Sequence, residues 1–160
     1  MRVPQGMTKW RWRWIQIRHP WTECFFLHHA ATAPAGHQNI YVWSKAGYDN
    51  ARLVWKVCHE CRHGLIAKIS IGPDWHRQGL GALLIHRALQ DGPDYRWTTS
   101  SQSPDGKQFF AAMSARTGAA FTPLAGICAH IRDAQSGHPK ASLDRMLQKT
   151  GWCPPHSDDD

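Results

Sequence analysis

The stretch Leu65-Ile66-Ala67-Lys68-Ile69-Ser70-Ile71-Gly72-Pro73-Asp74-Trp75-His76-Arg77-Gln78-Gly79-Leu80-Gly81-Ala82-Leu83-Leu84 decides the fold. Its first seven residues are rich in β-branched side chains and alternate near their end, which predicts a strand. Gly72-Pro73-Asp74 stops that strand. Leu80, Leu83, Leu84 and Ala88 then recur at helical spacing, and Asp91-Gly92-Pro93 closes the helix. A glycine turn between strand and helix has a physical use. The first amides of the helix have no acceptor within it, and the helix dipole adds positive potential there. With no side chain at Gly79 or Gly81, an anion can approach the backbone closely. Arg77 adds a charge and Gln78 a donor, so a pyrophosphate fits the description.

Downstream, residues 95–101 alternate aromatic and polar side chains and predict a second strand. Ser103-Pro104-Asp105 starts another helix with a hydroxyl cap, a proline in the first turn and an acid at the positive end. Phe109, Phe110 and Met113 give it an apolar stripe, and Gly118 ends it. A strand–helix–strand unit of this length makes parallel strands. Upstream, residues 10–17 alternate Trp and Ile with Arg and Gln, which predicts a strand with a Trp face inward and an Arg face in water. Residues 23–29, 40–43 and 53–58 are further strand candidates, separated by a loop at 32–38 and a turn at 45–50. Past Phe121, residues 141–149 predict a short helix stopped by Gly151. The expected fold is a single α/β domain over residues 1–150, followed by a tail at 151–160.

Two phosphate-binding patterns are excluded. No Gly-Lys-Ser or Gly-Lys-Thr follows the glycines, and the spacing is wrong for a dinucleotide fingerprint. Instead, Ile69-Ser70-Ile71 followed by Arg77-Gln78-Gly79-Leu80-Gly81-Ala82-Leu83-Leu84 resembles the acetyl-CoA motif of the GNAT superfamily of N-acetyltransferases. The resemblance runs over residues 53–123 and includes Arg116-Thr117-Gly118 and the aromatic Phe121. It implies a mixed sheet of six to seven strands with flanking helices, in which two central parallel strands splay apart and pantetheine lies between them. Ile69, Ser70 and Ile71 would bond the pantetheine amides through backbone groups. The amides of Arg77, Gln78, Gly79, Leu80, Gly81 and Ala82 would hold the pyrophosphate. The motif's first position carries His76, where the family has Gln or Arg. Counting back from Gly118 puts Ser114 where many members carry a tyrosine acid, and Lys107 where they carry an asparagine that contacts the cofactor. Under the resemblance, Ser114 and His76 are the candidate catalytic residues.

With 42% apolar and 19% charged residues, the chain has the composition of a globular domain rather than a disordered one. The net charge of +7 and a pI near 9.5 favour an acidic partner. No apolar run approaches the ~20 residues a spanning helix needs, and no signal peptide is evident, so a cytoplasmic protein without a membrane partner is expected. Five cysteines without a secretion signal argue against a disulfide framework. Cys58 and Cys61, two residues apart, could share a zinc ion completed by Cys128 with His130, or by Cys153 with His156. The plain alternative is a hairpin turn with packed or redox-sensitive thiols.

Three functions follow as expectations. The first is an acetyl-CoA-dependent N-acetyltransferase acting on an amine, as monomer or homodimer. The second is an inactive module that binds acetyl-CoA. The third is a basic, zinc-containing nucleic-acid binder, motivated by the charge and the Trp–Arg stretch.

Overall fold

A computed structural model describes residues 2–137 and 139–154. His138 and residues 155–160, including the candidate ligand His156, lie outside the described residues. Along the chain run α1 (Lys9–Arg18), β1 (Cys24–His29), β2 (Gln38–Ser44), β3 (Asp49–Cys58), β4 (His63–Ile71), a 3₁₀ turn (Pro73–Trp75), α2 (Leu80–Gln90), β5 (Arg96–Thr99), α3 (Pro104–Thr117), β6 (Thr122–Pro123), α4 (Ala129–Asp133), β7 (Ala141–Leu143) and α5 (Arg145–Gln148). The seven strands make one mixed sheet in the order β6-β5-β4-β3-β2-β1-β7. From β7 to β4 neighbours are antiparallel, whereas β4, β5 and β6 are parallel. This is the expected fold class: an α/β mixed sheet with splayed parallel strands at its centre.

The splay has a local cause. On β3, Val54 pairs with Lys68 and Trp55 with Ile66, so Ala67 is an extra residue on β4. Such a bulge bends the strand that carries it. On the other side, β4 and β5 pair only from His63↔Arg96 to Ile66↔Thr99. Beyond Ile66 the two strands part.

Both faces of the sheet are covered. Phe26, Ile40, Val42, Leu53, Trp55, Ile66 and Trp97 pack with Leu80, Leu84, Ile85 and Ala88 of α2 and with Phe110 and Met113 of α3. On the other face, Trp12 and Ile15 of α1 meet Phe25, Leu27 and Trp43. Ile131 of α4 meets Cys58 and Leu65. A fully buried large side chain stabilises by about 1.5–3 kcal/mol, so α2 contributes most of the helical packing.

Residues 10–17 form a helix and not the expected strand. Thr8 caps α1, its side chain accepting from the Arg11 amide at 3.2 Å. Trp12 and Ile15 are three apart and share the buried face. The period-two pattern therefore leaves Trp10 and Trp14 exposed, at 83% and 57%. Nor is a strand position free beside β1, whose two edges are taken by β2 and β7. Residues 141–149 are likewise not one helix. β7 comes first, pairing with β1, and Asp144 then caps the short α5 by accepting from the Leu147 amide at 2.9 Å.

Candidate functional site

The glycine turn is built as a sharp corner after β4. His76 Nε2 donates to the Ile71 carbonyl at 2.7 Å, and the His76 amide donates to the Pro73 carbonyl at 3.2 Å. Arg77 and Gly79 both have positive φ, +59° and +77°. That conformation favours glycine and is strained for an arginine. Gly79 caps α2, and the first helical bond runs from the Leu83 amide to the Gly79 carbonyl at 3.1 Å. The amides of Leu80, Gly81 and Ala82 thus precede the helical ladder and point toward the turn. The two glycines serve different ends. A Cβ at Gly79 would meet nothing within 4 Å, whereas one at Gly81 would lie 2.9 Å from the Phe109 ring and 3.2 Å from Ile71 Cδ1. Gly79 keeps the approach open, and Gly81 lets α3 close on α2.

The corner opens onto a cleft of about 760 Å³ between the end of β4, the start of α2 and one side of α3. Ile69, Ser70, Ile71, His76, Arg77, Gly79, Leu80, Gly81 and Ala82 all line it. From α3 come Phe109, Ala112, Met113 and Arg116. A narrower recess of about 160 Å³ lies beside it in the gap between β4 and β5, lined by Ala67, Lys68, Ser100 and Ser101 and sharing Ile69, Ser103 and Gly106 with the cleft. The Ser100 hydroxyl donates to the Ala67 carbonyl at 2.8 Å, holding the bulged residue at the point of divergence.

Three expected residues stand apart from the lining. Gln78 turns its carbonyl outward, where it accepts from Trp152 Nε1 at 2.9 Å. Lys107 is exposed on the first turn of α3, and Gln108 lines the cleft in its stead. Ser114 is half-buried on α3, its carbonyl accepting from the Gly118 amide, while Met113 and Arg116 reach the cleft. The geometry gives His76 a backbone-bonding role through Nε2. Sequence reasoning missed Arg116 and Trp152. Trp152 packs edge-on against Trp75 at 5.4 Å and Phe26 at 6.3 Å, so residue 152 is docked on the glycine turn.

At the opposite end of β4 a second group assembles. Cys58 ends β3, Cys61 lies in the turn before β4, Cys128 caps α4 and His130 sits in its first turn. Their four ligand atoms all lie within 4.8 Å of one another. Hydrogen bonds to Cys58 and Cys128 push the Cys61 thiol up to about 11. The other two cysteines are elsewhere: Cys24 is buried, which pushes its thiol up to about 12, and Cys153 is exposed.

A third feature is a basic groove between α1, β7 and α5. Arg11, Trp14, Arg18, His19, Arg145 and Lys149 line it, and among the described residues no acidic side chain does. Arg18 lies over the Trp14 ring at 4.4 Å.

No family model and no curated protein matches the chain. Solved structures do. A protein from Deinococcus radiodurans R1 assigned as an acetyltransferase aligns at 17% identity and a TM-score of 0.43, over 58% of this chain and 62% of its own. Nourseothricin acetyltransferase aligns at 16% identity and a TM-score of 0.32, over 43% of this chain and 52% of its own. The chain spans less than two thirds of the length of either. The seven-stranded mixed sheet, the β4–β5 divergence and the glycine corner that follows the fourth strand are the features that the sequence resemblance implies. Among the described residues, no helix is long and apolar enough to cross a membrane.

Proposed function

We propose that the chain binds acetyl-CoA in the cleft behind the glycine corner and transfers its acetyl group to an amine. The observation that carries this reading is the adjacency of two spaces that share Ile69, Ser103 and Gly106: the cleft at the helix start and the recess where β4 leaves β5. A pyrophosphate belongs at the first, where the amides of residues 79–82, Arg77 and Arg116 supply donors and charge. An extended amide chain belongs at the second, because β4 beyond Ile66 has backbone groups that no longer meet β5. The thioester would then reach the recess near Ala67 and Ser100.

In the reaction, the amine nitrogen attacks the thioester carbonyl carbon. The C–N bond forms, the C–S bond breaks, the amine loses a proton and the coenzyme A thiolate gains one. Backbone amides of β4 in the gap are the available donors for the carbonyl oxygen. Holding both reactants in place adds to the acceleration under this reading.

Acetyl-CoA should raise the melting temperature, and a suitable amine should then release free thiol. No change in melting temperature at saturating acetyl-CoA would overturn the assignment. Binding without thiol release across small-amine and protein panels would favour the inactive module instead.

The basic groove supports a second reading, a surface for a polyanion such as nucleic acid, with Trp14 available for stacking. Its binding would weaken steeply with salt. Equal retention of a single-stranded oligonucleotide by the wild type and by Arg18→Glu/Arg145→Glu would remove it.

A further inference from the structure

The sulfurs of Cys58, Cys61 and Cys128 and the ring of His130 converge from two segments about seventy residues apart. We propose that these four residues bind one zinc ion, which staples the β3–β4 turn to α4. Bonds of about 2.3 Å to sulfur and 2.0–2.1 Å to nitrogen in a tetrahedron put sulfur and nitrogen about 3.6 Å apart. His130 Nδ1 lies 3.6 Å from Cys58 Sγ and 3.3 Å from Cys61 Sγ. The geometry therefore matches a tetrahedral edge on two of its sides.

The surroundings fit a metal centre as well. His130 Nε2 faces Glu60 Oε2 at 3.1 Å. A carboxylate on the far nitrogen fixes the tautomer that leaves Nδ1 free to ligate. The Cys61 amide donates to Cys58 Sγ at 3.4 Å, which holds that sulfur under the turn. Behind the group, the Cys128 amide lies 3.4 Å from Nδ1 of the buried His63, which fixes the start of α4. Three sulfurs and one imidazole select zinc over the hard cations magnesium and calcium. Four protein ligands leave no open position, so the ion is structural and takes no substrate.

The fold gives the ion a task. α4 is five residues long, and its one buried side chain is Ile131. Other ties on this segment are the Lys56 Nζ bond to the Ile131 carbonyl at 2.8 Å and the Arg96 bond to the Gly126 carbonyl at 2.7 Å. Nine residues of β4 separate the group from the glycine corner, roughly 27 Å of strand. The centre is thus remote from the cleft, and the proposal stands or falls apart from acetyl-CoA binding.

The test is metal analysis of full-length protein purified without chelator, with cobalt replacement as an independent readout. One zinc per chain is expected, together with visible d–d bands of tetrahedral cobalt with thiolate ligands. Cys61→Ser and His130→Ala should lose both signals, whereas Cys153→Ser should keep them. Should a variant fail to fold, chelation of the wild type supplies the second measurement: removing zinc should lower its melting temperature, and adding it back should restore it. A wild type that carries no zinc, binds no cobalt, or contains a Cys58–Cys61 disulfide overturns the proposal. Full metal content in folded Cys61→Ser does so too.

Discussion

His76 Nε2 donates to the Ile71 carbonyl across residues 72–75, at 2.7 Å. The acceptor is a carbonyl, so the proton resides on Nε2, and the ring ties the end of β4 to the residue before Arg77. A bond of this kind contributes about 1 kcal/mol, or roughly fivefold in an equilibrium. His76→Ala should therefore weaken acetyl-CoA binding about fivefold. His76→Gln, whose amide can donate to the same carbonyl, should lose less. Calorimetric titration of both variants checks the order, and unchanged affinity in His76→Ala would show that the contact does not shape the turn.

The two glycines of the corner should fail in different ways. Gly79→Ala meets no neighbour but must hold a left-handed backbone, at about 1–2 kcal/mol. Its methyl also enters the space where an anion would approach, so cofactor affinity should fall more than tenfold for Gly79→Glu. Gly81→Ala instead drives into Phe109 and should cost stability first. Adding Phe109→Leu should recover part of the lost melting temperature in Gly81→Ala and none of the lost affinity in Gly79→Glu. Paired melting and titration data on the single and double variants would distinguish the two.

Arg87 joins α2 to α5 as an internal ion network. It donates to Asp144 at 2.8 Å and to Asp91 at 2.9 Å, and it lies over the buried Trp55. Burial opposes its charge, but the hydrogen bonds to Asp144 and Asp91 outweigh this and raise its pKa. Asp91 also accepts from Trp55 Nε1 at 2.9 Å. Removing one partner of a buried pair strands the other charge, at about 3 kcal/mol. Arg87→Ala should lower the melting temperature by about 10 °C in a domain of this size. A loss under 2 °C in calorimetry would mean that the network is solvated.

How much of this could be read beforehand depends on which interactions set each element. The β4–corner–α2 unit was legible because its signals are local: a β-branched run, breakers, glycines and a 3.6-residue period. Ser103 and Gly118 bounded α3 for the same reason, and both caps form. α1 was misread because Trp and Arg alternate with the period of a strand. The deciding facts were the Thr8 cap and the occupancy of both edges of β1, and the second is invisible to any window along the chain. The residues around Arg87 give no local sign of its ion network across to α5. Its partner Asp144 is 57 residues away. The cysteine–histidine group lies between these cases: the Cys58–Cys61 spacing pointed to half a site, and only folding brought Cys128 and His130 to it. Ser114 and Lys107 were placed by counting from Gly118, and the helix turns both away from the cleft lining.

The last prediction concerns acid. His29 is 6% exposed on β1 and packs edge-on against Tyr41 at 5.3 Å. Burial lowers its pKa from 6.5, the carbonyl of Pro139 opposes this, and the nearby positive charges of His28 and Arg52 add to the lowering. His37 is shifted the same way, by burial and then by Lys56 and Arg52. The unfolded chain thus takes up protons on these rings at a higher pH than the folded one. Stability rises with pH wherever the unfolded state binds more protons. Their contribution is therefore complete above about pH 6.5 and is lost as the pH falls from there through the folded values. Denaturant unfolding at pH 7.5, 6.5 and 5.5 should give a falling midpoint. His29→Gln removes one of the rings whose pKa is lowered, so its midpoint should start lower at pH 7.5 and fall less by pH 5.5. Parallel curves for wild type and variant would show that His29 takes no part in the acid response.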